Sequence, residues 1–272
     1  MRGARPCTIV GAMTDLPFRF GVVAGQAPDA ASWTGLARRA ESMGYATLLV
    51  PDTIATLSPF AAAAVAATVT TTLRVGTYVV CAPYRTPETV AWETTTLHTL
   101  TGGRFELGLG AGRPDAEQDA AVLGVGFGTP SQRIERISRT IDAVKDVRVL
   151  VAAAGSKLLR LAAAKADTVA IGVPPHHPEE QVAAKLDELY ELAGDRYNEL
   201  ELSMNLAVAG GEPPGRLLDR FGRTGSGILT GTPDEMADVL RCRRDRLGIS
   251  YVTVNAQCMD ALAPVVEMLA GT

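Results

Sequence analysis

The sequence predicts a (β/α)8 TIM barrel, and three observations carry the prediction. Eight short apolar runs alternate with eight helix-length segments, the pattern that gives parallel strands joined by right-handed crossovers. The chain has 272 residues, the size of one such barrel or of two ordinary domains, and no proline- or serine-rich linker divides it. An open doubly wound sheet is the rival architecture. The Gly-x-Gly-x-x-Gly turn that such a fold carries after its first strand is missing.

Residues 1–17 show no period and read as an extension ahead of a single barrel domain over 18–272. The first strand covers 18–23 and ends at Ala24-Gly25-Gln26. Ser32 is placed to cap a helix running to Met43, with Leu36, Ala37, Ala40 and Met43 on one face and Gly44 as the stop. The second strand, 45–50, leaves through Pro51-Asp52-Thr53, and Ser58-Pro59 opens the second helix with proline at the first helical position. The third strand spans 74–81, and Pro87 opens a third helix that reaches Leu100.

Residues 102–112 then read Gly-Gly-Arg-Phe-Glu-Leu-Gly-Leu-Gly-Ala-Gly. Phe105, Leu107 and Leu109 alternate with Glu106, Gly108 and Gly110, which is strand periodicity. Glycines on the second face make room for a close backbone or a flat ligand; a buried strand with a flexible exit turn has the same signature. A polar stretch to Gln118 precedes a helix over 132–145. The fifth strand, 147–151, leaves through Ala152-Ala153-Ala154-Gly155-Ser156-Lys157 into a helix over 157–165. Strands at 168–173 and 200–208 flank a helix over 178–192. Residues 210–231 are loop-rich, with one helical turn near Leu217. Thr232-Pro233 opens a helix ending near Leu247, followed by the eighth strand, 249–254, and a last helix, 260–269.

Composition narrows the function classes. Hydrophobic residues make up 47% of the chain but aromatics only 5%, so a large core must be built from Ala, Val and Leu. The net charge is -4 with no basic run, which argues against a nucleic-acid partner. Cys7, Cys81, Cys242 and Cys258 lack metal or disulfide-framework spacing; free thiols suit a reducing cytoplasm. No run of about 18 apolar residues predicts a membrane span, and the first 16 residues lack the apolar core of a signal peptide.

In a barrel of this kind the chemistry sits at the C-terminal ends of the strands. That rule selects Ala24 and Gly25, Asp52, residues 78–83, 110–113 and 153–157, His176 and His177, Ala207 and Ala209, and Asn255 and Gln257. The exits at 110–112 and 153–156 are made of very small residues, and the second runs into a helix N-terminus. Free N–H groups and the helix dipole favour a phosphate there. Small walls and one anion site suit a large flat phosphorylated cofactor; they also let helices approach the barrel. Asp52 is the best-placed acid or base, and equally a residue that caps a helix or closes an Asx turn. The adjacent His176 and His177 have no third ligand at metal spacing, so no metal is expected. The absence of Gly-x-Ser-x-Gly argues against covalent hydrolysis.

Several longer stretches carry a resemblance. They are Ala37-Arg38-Arg39-Ala40-Glu41-Ser42-Met43-Gly44-Tyr45 with Leu49-Val50-Pro51-Asp52, Leu73-Arg74-Val75-Gly76-Thr77, Arg85-Thr86-Pro87, Gly103-Arg104-Phe105-Glu106-Leu107-Gly108-Leu109-Gly110-Ala111-Gly112, and Val151-Ala152-Ala153-Ala154-Gly155-Ser156-Lys157. From Phe18 to its end the chain resembles the luciferase-like monooxygenase superfamily, in particular its actinobacterial branch of F420-dependent oxidoreductases. The resemblance implies a (β/α)8 barrel, a bulge on the third strand with a non-proline cis peptide near Tyr78-Val79 backing the cofactor ring, and contact between Asp52 and that ring. Ala152-Ala153-Ala154-Gly155-Ser156 is closer to the Ala-Ala-x-Gly-Pro of deazaflavin users than to the Gly-Gly of flavin users, with Ser156 replacing the proline. The implied cofactor residues are Asp52, Tyr78, Val79, Gly110, Ala111, Gly112, Ala153, Ala154, Gly155 and Ser156.

Two departures from the family pattern matter. Sugar-oxidising relatives carry histidine and glutamate where this chain has Thr53 and Arg113, which speaks against sugar-phosphate oxidation. Arg113 is instead a candidate anchor for a substrate carboxylate or phosphate, or a solvent-facing loop arginine; His176 and Asn255 are further candidate substrate contacts. Related chains also carry a longer insertion between the fourth and fifth strands. Here 141–151 passes almost directly from helix to strand, so this segment is shortened and the pocket is open, suited to a bulky substrate, or incomplete.

The expected activity is hydride transfer between reduced coenzyme F420 and an activated C=C or C=N bond of a small or peptide-like substrate. Tyr78, Tyr84, Asp52 and water, in that order, are the candidate proton donors. The alternatives are an FMN-dependent two-component monooxygenase and a shortened barrel that binds a cofactor or partner without catalysis. A homodimer is expected, with the second and third helices and Trp92 as candidate contact surfaces.

Overall fold

The computed structural model describes residues 16–211 and 215–272; most of the expected N-terminal extension lies outside them. The chain begins with β1 (Arg19–Val23), α1 (Ala30–Ser42), β2 (Thr47–Val50), α2 (Pro59–Thr68), β3 (Arg74–Thr77), β4 (Val80–Cys81) and α3 (Pro87–Leu100). The middle holds β5 (Phe105–Gly110), α4 (Ala116–Val122), α5 (Pro130–Ala143), β6 (Val149–Ala153), α6 (Ser156–Lys165), β7 (Thr168–Ile171) and α7 (Glu179–Ala193). It ends with β8 (Glu201–Leu206), β9 (Val208–Gly210), α8 (Gly215–Phe221), β10 (Ile228–Thr230), α9 (Pro233–Leu247), β11 (Ile249–Asn255) and α10 (Met259–Leu269).

The strands pair in parallel in the order β3-β2-β1-β11-β8-β7-β6-β5-β4, and a β3–β5 pairing closes the ring. Since β3 and β4 are two halves of one stave, the barrel has the eight staves that the sequence predicts. Side chains alternate across each strand. Phe20, Val22, Leu48, Val75, Phe105, Leu107 and Val151 pack outward against the helices in one continuous apolar cluster. A smaller cluster of Leu49, Leu150, Ala170 and Tyr251 fills the barrel interior.

The N-terminal end of the barrel is closed by charge. Glu106 and Glu201 are buried there. Arg19 reaches Glu106 at 2.8 Å and Glu201 at 3.0 Å. Arg74 also bonds Glu106, Arg148 bonds Glu201 at 3.1 Å, and the Thr168 hydroxyl donates to Glu201 at 2.8 Å. The Arg19 guanidinium lies over the Tyr251 ring, 4.6 Å from its centroid. Burying two carboxylates is tolerable because each has more than one donor.

Element ends follow local chemistry. Asp29, not Ser32, caps α1: its Oδ1 accepts from Ser32 N at 2.7 Å. Thr129 with Gln132 and Thr232 with Glu235 form capping boxes on α5 and α9, each followed by proline. The turn into β3 is held by Glu41, whose Oε1 accepts from Thr71 N, Thr72 N and Leu73 N at 2.7–2.9 Å. Three elements go beyond the sequence reading: α4, β10 paired with β9, and an α8 of two turns where one was expected. The segment between the fourth and fifth staves holds α4 and α5, with α5 ending at Ala143 and β6 starting at Val149. Among the described residues, no helix is long and apolar enough to cross a membrane.

Candidate active site

The third stave breaks at Tyr78-Val79, which is joined by a cis peptide bond, as the family resemblance implies. The break removes ladder partners from β5, and a side chain replaces them. Thr77 Oγ1 donates to Gly108 O at 2.8 Å and accepts from Gly108 N at 2.8 Å. Backbone groups buried in a strand need such partners. The displaced chain presses on β5. A Cβ on Gly108 would stand 2.1 Å from Thr77 O, and one on Gly110 would stand 2.5 Å from Val79 Cγ2. The alternating glycines of the fourth stave therefore accommodate the break in the third.

Above the break, at the C-terminal ends of the strands, lies a cavity of about 340 Å³. This falls within the roughly 300–1,000 Å³ of small-molecule sites. Tyr78 and Val79 form one wall, Gly110, Ala111 and Gly112 a second, and Ala152, Ala154 and Gly172 a third. Two of these walls carry no side chain larger than a methyl group, which fits a flat ring system. Pro51, Asp52, Thr53, Cys81 and Arg113 complete the lining.

Asp52 is 8% exposed. Its Oδ2 accepts from Cys81 N at 3.0 Å and from Arg85 Nη1 at 2.6 Å. Arg85 in turn lies 3.6 Å from Glu93 Oε2 and over the Phe60 ring. The carboxylate is thus fixed from behind by an arginine and a backbone amide. Burial pushes the Tyr78 phenol up to about 12, against a smaller opposing effect of the Thr253 hydroxyl; Thr253 itself accepts from Asn205 Nδ2 at 2.9 Å. Burial likewise pushes the Cys81 thiol up to about 11. Both groups carry their protons at neutral pH.

Arg113 reaches the cavity but is committed elsewhere, with Nε 2.6 Å from Asp115 and Nη2 2.7 Å from Asp119. Tyr84 is buried outside the cavity lining; its hydroxyl donates to Ala116 O and to Asp119 Oδ2, both at 3.2 Å. Alternation along β6 puts Ala152 and Ala154 on the cavity and turns Ala153 into the outer apolar cluster. Gly155 and Ser156 stand at the exposed N-terminus of α6. The Ser156 hydroxyl helps to lower the Glu188 carboxyl, after the larger effect of Lys185. His176 and His177 stack edge to face on the loop before α7, and Asn255 ends β11; none of the three lines the cavity.

Sequence reasoning overlooked Arg85 as the partner of Asp52 and Asp119 as the partner of Arg113. Arg85 belongs to one of the family-like stretches, but nothing in its local pattern identifies a partner across a turn of the barrel. Gly172 falls inside the sixth strand as the sequence predicts it, 168–173, whereas the observed β7 ends at Ile171 and leaves Gly172 on the cavity. Among the described residues, no group of three or more His, Cys, Asp or Glu side chains is arranged to hold a metal ion.

Comparisons with known proteins agree with this architecture. A search of curated protein sequences finds no match. Solved structures match in number, at low identity. The coenzyme F420-dependent tetrahydromethanopterin reductase from Methanopyrus kandleri superposes with a TM-score of 0.73 at 17% identity, covering 93% of this chain and 99% of that one. An F420-dependent secondary alcohol dehydrogenase, in complex with an F420-acetone adduct, gives 0.69 at 15% identity over 92% and 99%. The oxygenating constituent of 3,6-diketocamphane monooxygenase from Pseudomonas putida, in complex with FMN, gives 0.72 at 13% identity over 94% and 98%. These likenesses establish the fold. The model of the luciferase-like monooxygenase family matches residues 13–148, half of the chain. The chain belongs to the luciferase-like monooxygenase family.

Proposed function

We propose that this protein is an F420-dependent reductase that transfers a hydride between reduced deazaflavin and an activated C=C or C=N bond of a small or peptide-like molecule. The observation that carries the reading is the cavity itself: two walls of glycine and alanine, a third formed by Tyr78-Val79, and a fixed carboxylate at the rim. Two of the similar structures described above are F420-dependent enzymes. The alanine-rich exit at 152–154 adds support through its resemblance to deazaflavin users.

When bound, reduced F420 supplies the hydride, which goes to the acceptor carbon while a proton goes to the adjacent atom of the former double bond. The chain's own work is positioning and proton supply. The small-residue walls admit a flat ring and exclude water from its faces. Asp52, held by Arg85 and Cys81 N, presents a carboxylate oxygen of fixed orientation. Tyr78 retains its proton at neutral pH and lines the same cavity, so it is the proposed proton donor. The backbone amides at the N-terminus of α6, at Gly155 and Ser156, are the proposed contact for a phosphate.

A second reading, an FMN-dependent two-component monooxygenase, draws support from the FMN-bound relative. Titrating purified protein with reduced and oxidised F420, and then with FMN, separates the two. Tight binding of FMN without binding of the deazaflavin sinks the first reading. Saturable F420 binding with no turnover of conjugated imines or alkenes would support the third possibility, a barrel that binds without catalysis.

A further inference from the structure

Asp52 and Arg113 are the two charged residues that line the cavity among the described residues, and each is already paired. Asp52 is matched by Arg85 at 2.6 Å. Arg113 gives Nε to Asp115 and Nη2 to Asp119. A carboxylate grips a guanidinium through one of two forks, Nε with Nη2 or Nη1 with Nη2. Asp115 and Asp119 between them hold the Nε–Nη2 fork; Nη2 has a second hydrogen, so the end-on fork stays open, and what the two aspartates take from Arg113 is its net charge.

Asp119 is itself held in place. The same Oδ2 accepts from the Tyr84 hydroxyl at 3.2 Å and from Ile54 N at 3.3 Å. It therefore ties together the loop after β2, the turn after β4 and the loop after β5, which hold Thr53 and Arg113 at the rim and follow directly on Cys81. Beneath it, Ala116 and Ala120 of α4 pack with Cys81, Tyr84, Val125 and Phe127 in an apolar cluster separate from the main core. The hydrogen bond from Arg113, outweighing burial and aided by Ile54 N and Tyr84, keeps the Asp119 carboxyl below its ordinary range. One guanidinium against two carboxylates leaves this side of the rim with a net negative charge.

We propose that Asp119, with Asp115, sets the substrate class of the site: by outweighing the charge of Arg113 the two aspartates make the cavity accept an uncharged or cationic conjugated acceptor and refuse a carboxylate. This rests on the reading of the cavity as a hydride-transfer site, and it names which acceptors reach that site. Asp119 acts through Arg113 and is a positioning residue. An enoate could take only the end-on fork of a guanidinium whose charge two carboxylates already outweigh, and it would lie close to both. A neutral enamide or a protonated imine meets neither obstacle.

Equilibrium dialysis with cinnamate and cinnamamide tests the proposal, because the two probes share a conjugated skeleton and differ in charge. The wild type is expected to bind the amide at least about tenfold more tightly than the acid. The D115N/D119N variant, with Arg113 released, is expected to bind cinnamate about tenfold more tightly than the wild type does, and Arg113→Ala in that background removes the gain. D119N alone, whose amide oxygen can still accept from Tyr84 and Ile54 N, gives a smaller gain in the same direction, and D119E retains the refusal. A loose structural role for Asp119 predicts weaker binding of both probes. Equal affinity of the wild type for the two probes, no gain for cinnamate in either released variant, or no binding of either probe by any of the proteins overturns the proposal. The dialysis is run both without cofactor and with saturating oxidised F420, and it is read as the ratio of the two probes rather than from cofactor affinity, so its outcome stays distinguishable from that of the F420 and FMN titrations.

Discussion

Gly108 lies against Thr77 at two points: both its backbone polar groups bond the Thr77 hydroxyl, and its Cα faces the Thr77 carbonyl with no room for a methyl group. Gly108→Ala is therefore expected to destabilise the fold by about 1–3 kcal/mol, the usual cost of overpacking, because the obstacle is backbone and cannot rotate away. Gly35, inside α1 with no neighbouring atom within 4 Å of where a methyl carbon would stand, is the control. Gly35→Ala should stabilise by about 0.5–1 kcal/mol. Urea denaturation of both variants checks the pair.

Removing Arg85 leaves Asp52 buried with one amide donor. Arg85→Gln is expected to cost on the order of 2–3 kcal/mol, less than for a fully buried ion pair because the Arg85 side chain is 20% exposed. Adding Asp52→Asn should recover part of that loss, since it removes the unpaired charge. A double-mutant cycle by urea denaturation measures the coupling, and additive losses would show that the pair contributes nothing.

Tyr78→Phe keeps the ring against the cavity and removes the proton. If the phenol is the donor, the single-turnover rate with F420 and a conjugated acceptor should fall about 10²-fold or more, with F420 affinity unchanged within about twofold. The wild-type rate should show no loss attributable to this group until the pH approaches about 12, where the phenol ionises. An unchanged rate in the variant passes the role to water or Asp52.

Burial alone would raise the Glu41 carboxyl, but the N–H groups of Leu73, Thr72 and Thr71 outweigh it and hold the group at about 2, against an ordinary 4.5. The folded-state value lies below the unfolded one. Glu41 therefore stabilises the fold fully above about pH 4.5, and the contribution drains away as the pH falls towards 2. Glu41→Gln should be less stable than the wild type by about 1–3 kcal/mol at pH 7, and the gap should narrow between those two values. Denaturation series at pH 7 and pH 3 read it directly.

Trp92 and Leu100 on α3 are 73% and 76% exposed, and Val65 on α2 is 42% exposed. We propose that these exposed apolar side chains of α2 and α3 take part in joining two copies of the chain. Sedimentation equilibrium should give a dimer for the wild type and a shift towards monomer for Trp92→Arg. A monomeric wild type removes the proposal.

Strand and helix order was legible because apolar residues recur with the right periods: Phe105, Leu107 and Leu109 announce β5, and Pro87 and Pro233 mark their helices to the residue. The misses have physical causes. α4 buries only Ala116 and Ala120, too little apolar signal to stand out from its polar neighbours. β10 is three residues long. Ser32 has the look of a cap because serine often is one, yet it donates its own backbone N–H to the real cap, Asp29. The split of the third strand came from family resemblance, since no residue pattern in 74–81 marks it. The pairings of Asp52 with Arg85 and of Arg113 with Asp119 depend on how loops meet over the barrel, which spacing along one strand does not encode.

The arginine–glutamate lattice at the N-terminal end of the barrel is the stopper beneath a solid core. Arg19, Glu106 and Glu201 fill the end opposite the cavity, and Leu49, Leu150, Ala170 and Tyr251 fill the interior between, so whatever occupies the cavity enters and leaves past the rim. Traffic through one mouth imposes a sequence. On the proposed function, a flat ring seated against Tyr78-Val79 has to arrive before the molecule it reacts with, and the product has to depart before the ring can be exchanged. Steady-state kinetics should accordingly be ordered, with the cofactor first on and last off.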